Sequence, residues 1–258
     1  MSVEINALEQ LYRARTAGSE KLSVQAGKVL PGGVAANGKY LPPYPIYMLG
    51  GQGAEMVDID GNKYLDLLMG AGVHILGHSP ECVLRAVHHQ LDIGVHYYLP
   101  AEAEVKLAEK VCQVMPSVEM VRFLNSGSES TLMAIRAARA YRKRAKIVKF
   151  EGNFHGQHDT VLVSTLAVEG EPGAPRPHLD SAGIPDNVMD NLLILPYNDP
   201  QRAVEQIRQH ADELGGVIVE PVSAFGLGVV PADPEFLQAL RQVTLETGIP
   251  LIFDEVVT

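Results

Sequence analysis

The sequence predicts an α/β fold in which helices cover a mostly parallel sheet. From about residue 120 onward, predicted strands and helices alternate along the chain, which is typical of this fold class. The predicted strands at 217–219 and 251–253 are wholly apolar, and such strands are usually buried on both faces. A hydrophobic content of 46% in 258 residues is enough for a sizeable core.

The N-terminal part is expected to combine helices with a few short strands. Leu8, Leu11 and Leu22 lie on the apolar side of a polar helix. Asp60-Gly61 is a typical hairpin turn, and Ser79-Pro80-Glu81 supplies an N-cap, a first-turn proline and a first-turn acid. The predicted elements are a helix over 3–26, strands over 54–59 and 63–67, and helices over 80–91 and 101–114.

The alternating region supplies the sheet and the helices that cover it. We expect an N-terminal arm and small-domain segment over 1–90 and a larger domain over 91–258. The Pro/Gly-rich stretch 166–190 is expected to be a long loop. The predicted strands are 120–124, 146–150, 160–163, 192–195, 216–219 and 250–253, and the predicted helices are 128–141, 200–213 and 233–247.

The composition excludes several classes of function. A net charge of -10 and a pI near 5.3 argue against binding nucleic acid or an anionic membrane, since both need a positive surface. The sequence has no apolar run near the roughly 18 residues that a membrane span requires, and its charged N-terminus does not resemble a signal peptide. Cys82 and Cys112 are too few for a disulfide framework or a zinc site. We therefore expect a cytoplasmic protein.

Ser126-Gly127-Ser128 leads from a predicted strand directly into a predicted helix. Ligands bind beyond the carboxyl ends of the strands in an open parallel sheet, and this segment lies at such an end. Glycine permits close backbone approach, and the hydroxyls, the free N–H groups and the positive helix end favour a phosphate. An ordinary N-cap fits the same residues, and both interpretations remain open.

Two carboxylates also follow apolar strands at this edge. Glu220 and Asp254 would be costly to bury without a cationic partner, so each indicates a site, although a solvated rim explains them as well. No metal is expected, because the histidine pairs lack a matching acidic motif and are interpreted as polar packing. These pairs are His74 with His78, and His155 with His158.

In their order along the chain, these motifs resemble the class III aminotransferase family, and within it the glutamate-1-semialdehyde 2,1-aminomutase branch. Any one motif is modest, but the ordered set spans nearly the whole chain and is highly specific. The matching stretches are Pro31–Val34, Val57–Asp66, Ile75–His78, Phe123–Glu129, Ala134–Tyr141, Lys149–Gly152 with Phe154–Gly156, Val219–Val222 and Leu251–Val256.

The resemblance implies the aspartate-aminotransferase-like fold, which is fold type I of the pyridoxal-phosphate enzymes, here with an incomplete sheet. It implies pyridoxal 5′-phosphate as the cofactor. Ser126, Gly127 and Ser128 would bind the cofactor phosphate. Phe154 and Val256 would lie against the two faces of the pyridine ring.

Further roles follow from the same resemblance. Asp254 would pair with the ring nitrogen and keep it protonated, so that the ring can accept electrons. Glu220 would lie near the cofactor edge and the incoming amine, and His155 would support the loop. For catalysis we therefore name Asp254 and Glu220.

The chain departs from the family pattern at three places. The Schiff-base lysine of the family lies beyond the position of Thr258, so turnover by this chain alone is not expected. Lys39 stands where the aminomutase branch has an arginine for the substrate carboxylate, and lysine lacks the bidentate fork. Ala71 stands where an aromatic residue usually narrows the aminomutase pocket, which suggests a bulkier amino donor or acceptor.

The resemblance thus implies amino transfer, or internal amino exchange, on small amino and keto substrates by a homodimer. An alternative is a binding or regulatory protein that keeps the pocket without the lysine and without turnover. The sequence does not distinguish a mutase from a transferase, and it does not identify the amino donor or acceptor.

Overall fold

A computed structural model describes residues 2–166, 170–171 and 174–258. The chain divides into two compact units, Met1–Ala101 and Glu102–Thr258. The sequence predicts a boundary after residue 90, which is N-terminal to the division after Ala101. The assignment of 1–90 as an arm with a small-domain segment, and of 91–258 as the cofactor-binding domain, stays a prediction.

The first unit begins with two helices where the sequence predicts one. Helix α1 spans Ser2–Arg15 and α2 spans Ala17–Ala26, with Thr16 between them at a non-helical φ of -130° and ψ of 38°. The carboxylate of Asp60 accepts hydrogen bonds from the N–H groups of Gly18 (2.6 Å) and Ser19 (3.0 Å), and so caps α2. The single helix over 3–26 is therefore wrong, because sequence periodicity does not reveal a cap from a distant residue.

Three short antiparallel strands follow in this unit: β1 (Met48–Gln52), β2 (Glu55–Asp58) and β3 (Lys63–Leu65). The predicted hairpin between β2 and β3 is confirmed, and Gly61 adopts a φ of 83° in its turn. The carboxylate of Asp58 accepts hydrogen bonds from the N–H groups of Asp60 (2.9 Å) and Asn62 (2.8 Å). These bonds hold the turn in place.

Helix α3 (Glu81–Ile93) completes the first unit and begins where the sequence predicts. Ser79 is not its N-cap, however. Pro80 occupies that position without a side-chain hydrogen bond, while Ser79 has a φ of 53° and its hydroxyl donates to the carbonyl of Gly51 (3.0 Å). The Ser79 side chain therefore forms a hydrogen bond with β1 and none with the N-terminus of α3.

The second unit contains the alternating elements. Its first helices, α4 and α5, agree with the prediction. The elements are α4 (Glu102–Val114), α5 (Gly127–Arg142), β4 (Lys146–Phe150), β5 (Gly170–Glu171), β6 (Ala174–Pro175), β7 (Leu192–Leu195), α6 (Pro200–Gln209), β8 (Leu214–Val219), β9 (Val222–Ser223), β10 (Val230–Pro231), α7 (Pro234–Thr247) and β11 (Leu251–Phe253).

The main sheet of the described residues is parallel and has helices on both faces. Its strands lie in the order β11-β8-β4-β7. Val148 and Phe150 of β4 pack in a buried cluster with residues of α6 and α7, whereas Ile147 packs in a second cluster that includes Ile135 of α5. This alternation follows from the pleat of the strand. The predicted α/β architecture is confirmed.

Two predicted strands are wrong. Residues 120–124 are irregular and find no partner strand within the described part of the chain, and Met120 is 90% exposed. Residues 160–163 form turns, with one isolated bridge between Val163 and Leu179. Their apolar composition suits a strand, but a strand also needs a neighbour for its main-chain hydrogen bonds.

The predicted loop over 166–190 is more structured than expected. It contains the short β5–β6 pair and a 3-10 helix at Asp186–Asn191, while residues 167–169 and 172–173 lie outside the described residues. Helix α6 ends at Gln209, before the predicted end at residue 213. Throughout the described ranges, no helix combines the length and the apolar character needed to cross a membrane.

Candidate active site

The N-terminus of α5 carries the predicted anion-binding turn. Ser126 is the N-cap, and its hydroxyl oxygen accepts a hydrogen bond from the N–H of Glu129 (3.2 Å). The carboxylate of Glu129 in turn accepts from the N–H of Asn125 (2.8 Å), the residue before the N-cap. Within the part of the chain that the structure describes, the N–H groups of Gly127 and Ser128 donate to no protein acceptor. The turn is thus an N-cap that still has donors to offer a ligand.

Asp254 follows β11 and is buried, with an exposure of 7%. One carboxylate oxygen accepts a hydrogen bond from Nδ1 of His155 (2.8 Å), and the other accepts from the N–H of Val256 (3.1 Å). Burial lowers the pKa of His155 to about 4, although the carboxylate of Asp254 opposes this shift. The imidazole is therefore neutral near pH 7, and the negative charge of Asp254 is not cancelled by its partner.

One cavity of about 150 Å³ lies between these two features. All seven residues that the sequence predicts for cofactor binding line it, together with Gly156 and Val257; the seven are Ser126, Gly127, Ser128, Phe154, His155, Asp254 and Val256. The main chain at Gly127 lies close to Val256 across the cavity. A Cβ added at Gly127 would lie 2.7 Å from Cγ1 of Val256. The structure therefore brings the predicted set together, while the binding roles of its members stay predictions.

Glu220 lies at the end of β8 but does not line this cavity. Its carboxylate is turned toward the main chain, where it accepts hydrogen bonds from the N–H groups of Phe154 (2.8 Å) and Ala224 (3.4 Å). Burial raises the pKa of Glu220 to about 7, against the lowering effect of these two N–H groups. Its contact with the pocket is therefore indirect, through the main chain of Phe154.

Phe154 and the turn around it contact α5 and Phe225, which follows β9. The Phe154 ring meets Phe225 edge to face, with centroids 5.4 Å apart. The hydroxyl of Thr131 donates to the carbonyl of His155 (2.6 Å), which ties the turn to α5. The hydroxyl of Ser128 accepts from the N–H of Gln157 (3.0 Å).

Two buried residues beside the cavity, Asn153 and Lys149, are missing from the predicted set. The side chain of Asn153 accepts a hydrogen bond from the N–H of Glu220 (2.9 Å), and the ammonium of Lys149 donates to the carbonyl of Asn153 (2.6 Å). Neither was found from the sequence as part of a site. The one available signal was a lysine inside an otherwise apolar strand.

The predicted substrate residues both belong to the first unit. Lys39 is exposed and ends a short 3-10 helix at Asn37–Lys39. Ala71 is partly exposed and has a φ of 59°, in the left-handed region. Their substrate roles stay predictions.

The described residues offer no group of three or more His, Cys, Asp or Glu side chains arranged to hold a metal ion. The two histidine pairs make other contacts. His78 pairs with Asp66 (2.8 Å) and lies against the ring of His74, and Nε2 of His158 is 3.2 Å from the hydroxyl of Thr131.

A family model described as aminotransferase class-III matches residues 37–258. The chain belongs to this family. Among curated relatives, it is 45% identical over 240 residues to a glutamate-1-semialdehyde 2,1-aminomutase of Methanopyrus kandleri, and the match covers 93% of this chain. The resemblance to the family that the sequence motifs indicate is confirmed.

Solved structures agree with this assignment. An omega-transaminase from Sphaerobacter thermophilus superposes with a TM-score of 0.86 at 42% identity, covering 91% of this chain and 54% of that one. A transaminase with pyridoxal phosphate bound gives a TM-score of 0.85 at 35% identity, covering 92% of this chain and 55% of that one. The predicted fold class, the aspartate-aminotransferase-like fold with an incomplete sheet, is confirmed.

This class III aminotransferase-family chain spans about half the length of the curated relatives that it matches. The aminomutase of Methanopyrus kandleri is covered over 55% of its length.

Proposed function

We propose that this chain forms the pyridoxal-phosphate pocket of an enzyme that transfers or relocates amino groups on small amino and keto substrates. The observation that carries the proposal is the single cavity bounded by the N-terminus of α5 at one side and by Asp254 at the other. Membership of the class III family supports the same function.

The residues at the α5 side fit a phosphate. The N–H groups of Gly127 and Ser128 remain available, and the helix end adds a favourable potential of about 0.3–1 kcal/mol. The hydroxyls of Ser126 and Ser128 can each donate one more hydrogen bond. Gly127 is needed because a Cβ there would meet Cγ1 of Val256 at 2.7 Å. Hydrogen bonds would therefore supply most of the phosphate binding.

The residues at the other side fit a protonated pyridine. The carboxylate of Asp254 lies beside a neutral His155, so it can accept a hydrogen bond from a cationic ring N–H. Phe154 and Val256 supply apolar surface for the ring faces. When bound, pyridoxal phosphate supplies the electron sink that amino transfer needs. Asp254 would hold the proton on the ring nitrogen, which makes it the catalytic residue of this pocket.

Two reaction types are candidates for this pocket. One relative is named a glutamate-1-semialdehyde 2,1-aminomutase and a similar structure is named an omega-transaminase, so both reaction types remain candidates. Lys39 would attract a substrate carboxylate, and Ala71 would leave room for a bulkier substrate. A strict preference for glutamate semialdehyde in substrate profiling would contradict the role of Ala71.

A homodimer in the cytoplasm completes the proposal. Large apolar side chains at the surface of the first unit support burial by a further partner surface, and they include Leu67, Val73, Ile75 and Tyr98, with exposures of 86%, 73%, 89% and 100%. Light scattering during size-exclusion chromatography gives the mass directly. A monomer over the working concentration range would contradict the dimer.

The cofactor proposal is tested by titration with pyridoxamine 5′-phosphate, which binds without forming a bond to a lysine. We expect saturable binding at one site per chain, measured by calorimetry. Pyridoxamine without the phosphate is the matched control and should bind much more weakly, because it leaves the N–H groups of α5 unused. Equal affinity for the two compounds would contradict the assignment of the phosphate site.

The reaction is tested at the level of the gene and of the purified enzyme. The reading frame is followed past the codon for Thr258, where a continuation that carries the Schiff-base lysine supports an enzyme. A stop codon at that point would favour the pocket-retaining binding protein instead. For the natural full-length product, glutamate-1-semialdehyde isomerisation and amine-to-keto transfer are then measured side by side.

A further inference from the structure

Lys149 is a fully buried lysine inside the central sheet. It lies on β4, with an exposure of 0%, and lysine is almost never fully buried without a partner. Because side chains alternate along a strand, Lys149 shares the face of Ile147 and points to the α5 side, while Val148 and Phe150 point to the other. It is also the position of β4 nearest the carboxyl edge on that face.

The ammonium of Lys149 holds the main chain that follows the strand. Nζ donates to the carbonyl of Asn153 (2.6 Å) and lies 3.4 Å from the carbonyl of Phe150. The hydroxyl of Thr165 also reaches the Asn153 carbonyl (3.3 Å), so the turn is fixed at this point from two sides. A buried ammonium with a short hydrogen bond to a carbonyl holds it more firmly than a neutral donor does.

The charged groups around Lys149 are carboxylates from three different segments. Asp180, Glu220 and Glu151 raise its pKa, although burial outweighs them and lowers the pKa to about 7. The positive charge of Lys149 in turn lowers the pKa of Glu220, which opposes the rise caused by burial.

A continuous set of hydrogen bonds leads from Lys149 to the wall of the cavity. The Asn153 side chain, next to the carbonyl that Lys149 holds, accepts from the N–H of Glu220 (2.9 Å). The carboxylate of Glu220 accepts from the N–H of Phe154 (2.8 Å). Phe154 lines the cavity. The turn 150–154 is therefore held at Asn153 by Lys149 and at Phe154 by Glu220.

We propose that Lys149 is a positioning residue for the cofactor pocket: its buried amine group fixes the carbonyl of Asn153, and Asn153 and Glu220 together hold Phe154 in the pocket wall. This role rests on the function proposed above. Lys149 itself does not line the cavity, so it acts through its neighbours. A lysine that served only to stabilise the sheet would leave Phe154 and ligand affinity unchanged in protein that still folds.

The central variant is Lys149→Met, which keeps an unbranched side chain and removes the ammonium. Lys146→Met is the matched control, because Lys146 lies on the same strand and pairs with Glu213 at the opposite end. The first measurement is amide hydrogen exchange in the ligand-free full chain. We expect exchange at the N–H of Phe154 to rise about tenfold in Lys149→Met and to stay unchanged in Lys146→Met.

The second measurement is the affinity for pyridoxamine 5′-phosphate. We expect a loss of about tenfold in Lys149→Met, equivalent to ~1.4 kcal/mol, and none in Lys146→Met. Folded Lys149→Met with native exchange at Phe154 and native affinity overturns the proposal. If the wild-type chain binds no pyridoxamine phosphate, the proposed function fails, while the exchange measurement still decides the role of Lys149.

A rescue experiment separates the charge from the volume and covers a variant that folds poorly. Lys149→Cys is made in a Cys82→Ser, Cys112→Ser background and alkylated with 2-bromoethylamine while unfolded, which restores an ammonium at nearly the same reach. Recovery of folding and of slow exchange at Phe154 on alkylation supports the proposal. Alkylated protein that is as poorly folded, or exchanges as fast, as the thiol form overturns it.

Discussion

The charge of Asp254 gives the sharpest test of the pocket. Replacing it by asparagine keeps the size of the side chain and removes only the negative charge. Asparagine can still accept a hydrogen bond from Nδ1 of His155 through its carbonyl oxygen. Its amide group would then face the N–H of Val256, which now donates over 3.1 Å to a carboxylate oxygen. One hydrogen bond is lost and one is kept.

These contacts set the expected magnitudes. The loss of one partly buried hydrogen bond should lower the free energy of unfolding by about 1 kcal/mol. A cationic ligand loses more, because a hydrogen bond between charged groups contributes about 1.5–3 kcal/mol. The affinity for pyridoxamine 5′-phosphate should therefore fall by about 10- to 150-fold. The effect on binding exceeds the effect on stability, since His155 is neutral and cannot substitute for the lost charge.

The assay is a titration followed through the fluorescence of the ligand itself. The chain contains no tryptophan, so protein emission interferes little. Asp233→Asn is the matched control, because Asp233 precedes α7, makes no capping hydrogen bond with its side chain and lies outside the cavity. Native affinity in the Asp254→Asn variant would refute the pairing of this carboxylate with a ring nitrogen. An equal loss in both variants would point to a general effect of net charge.

Three further predictions concern the wall of the cavity at Gly127, the pH dependence of folding stability, and the hydrophobic core. Gly127→Ala should weaken binding of pyridoxamine phosphate about tenfold (~1.4 kcal/mol), because its Cβ would lie 2.7 Å from Cγ1 of Val256 and the wall of the cavity would have to shift. Unchanged affinity in calorimetry would contradict the close approach. Burial raises the pKa of Glu220 from 4.5 to about 7, so the unfolded state binds fewer protons between these values and stability should fall as pH rises across this window. Glu220→Gln should flatten that fall in urea denaturation at several pH values, and an unchanged slope would contradict a raised pKa. Phe236→Ala should lower the free energy of unfolding by about 3–5 kcal/mol, because the ring is fully buried and meets Phe150 edge to face; a loss below about 1 kcal/mol in the same assay would show that the site is not packed as described.

The position of the pocket could be predicted from the sequence for a simple geometric reason. Asp254 directly follows β11, a wholly apolar strand that pairs in parallel with β8 and is the outermost strand of the described sheet. The carboxyl ends of parallel strands meet at one edge, so the residues that follow them are close in space although far apart in sequence. Phe154 and His155, which follow β4, line the same cavity for this reason. Ser126-Gly127-Ser128 also lines the cavity, although the strand predicted before it does not form.

The elements that the sequence missed depend on contacts between distant residues. The break at Thr16 depends on Asp60, whose carboxylate caps α2 from the hairpin. The direction of the Glu220 carboxylate depends on the main chain of Phe154, so Glu220 does not line the cavity, and its role at the cofactor edge stays a prediction. Local propensity and periodicity contain no information on such contacts. The strand ends can therefore be located from the sequence, but the hydrogen bonds among them cannot.

The two sides of the cavity favour opposite charges, and this explains what the site can select. The helix end contributes about 0.3–1 kcal/mol and accepts an anion through free N–H groups, whereas Asp254 favours a cation through a hydrogen bond of about 1.5–3 kcal/mol. A ligand that carries only one of these charges binds to one side of the cavity, and the polar groups of the other side stay hydrated. Because His155 stays neutral, the preference at the Asp254 side should persist across neutral pH. Selectivity for a phosphorylated pyridinium therefore arises from the separation of two weak sites, and neither site needs to bind tightly alone.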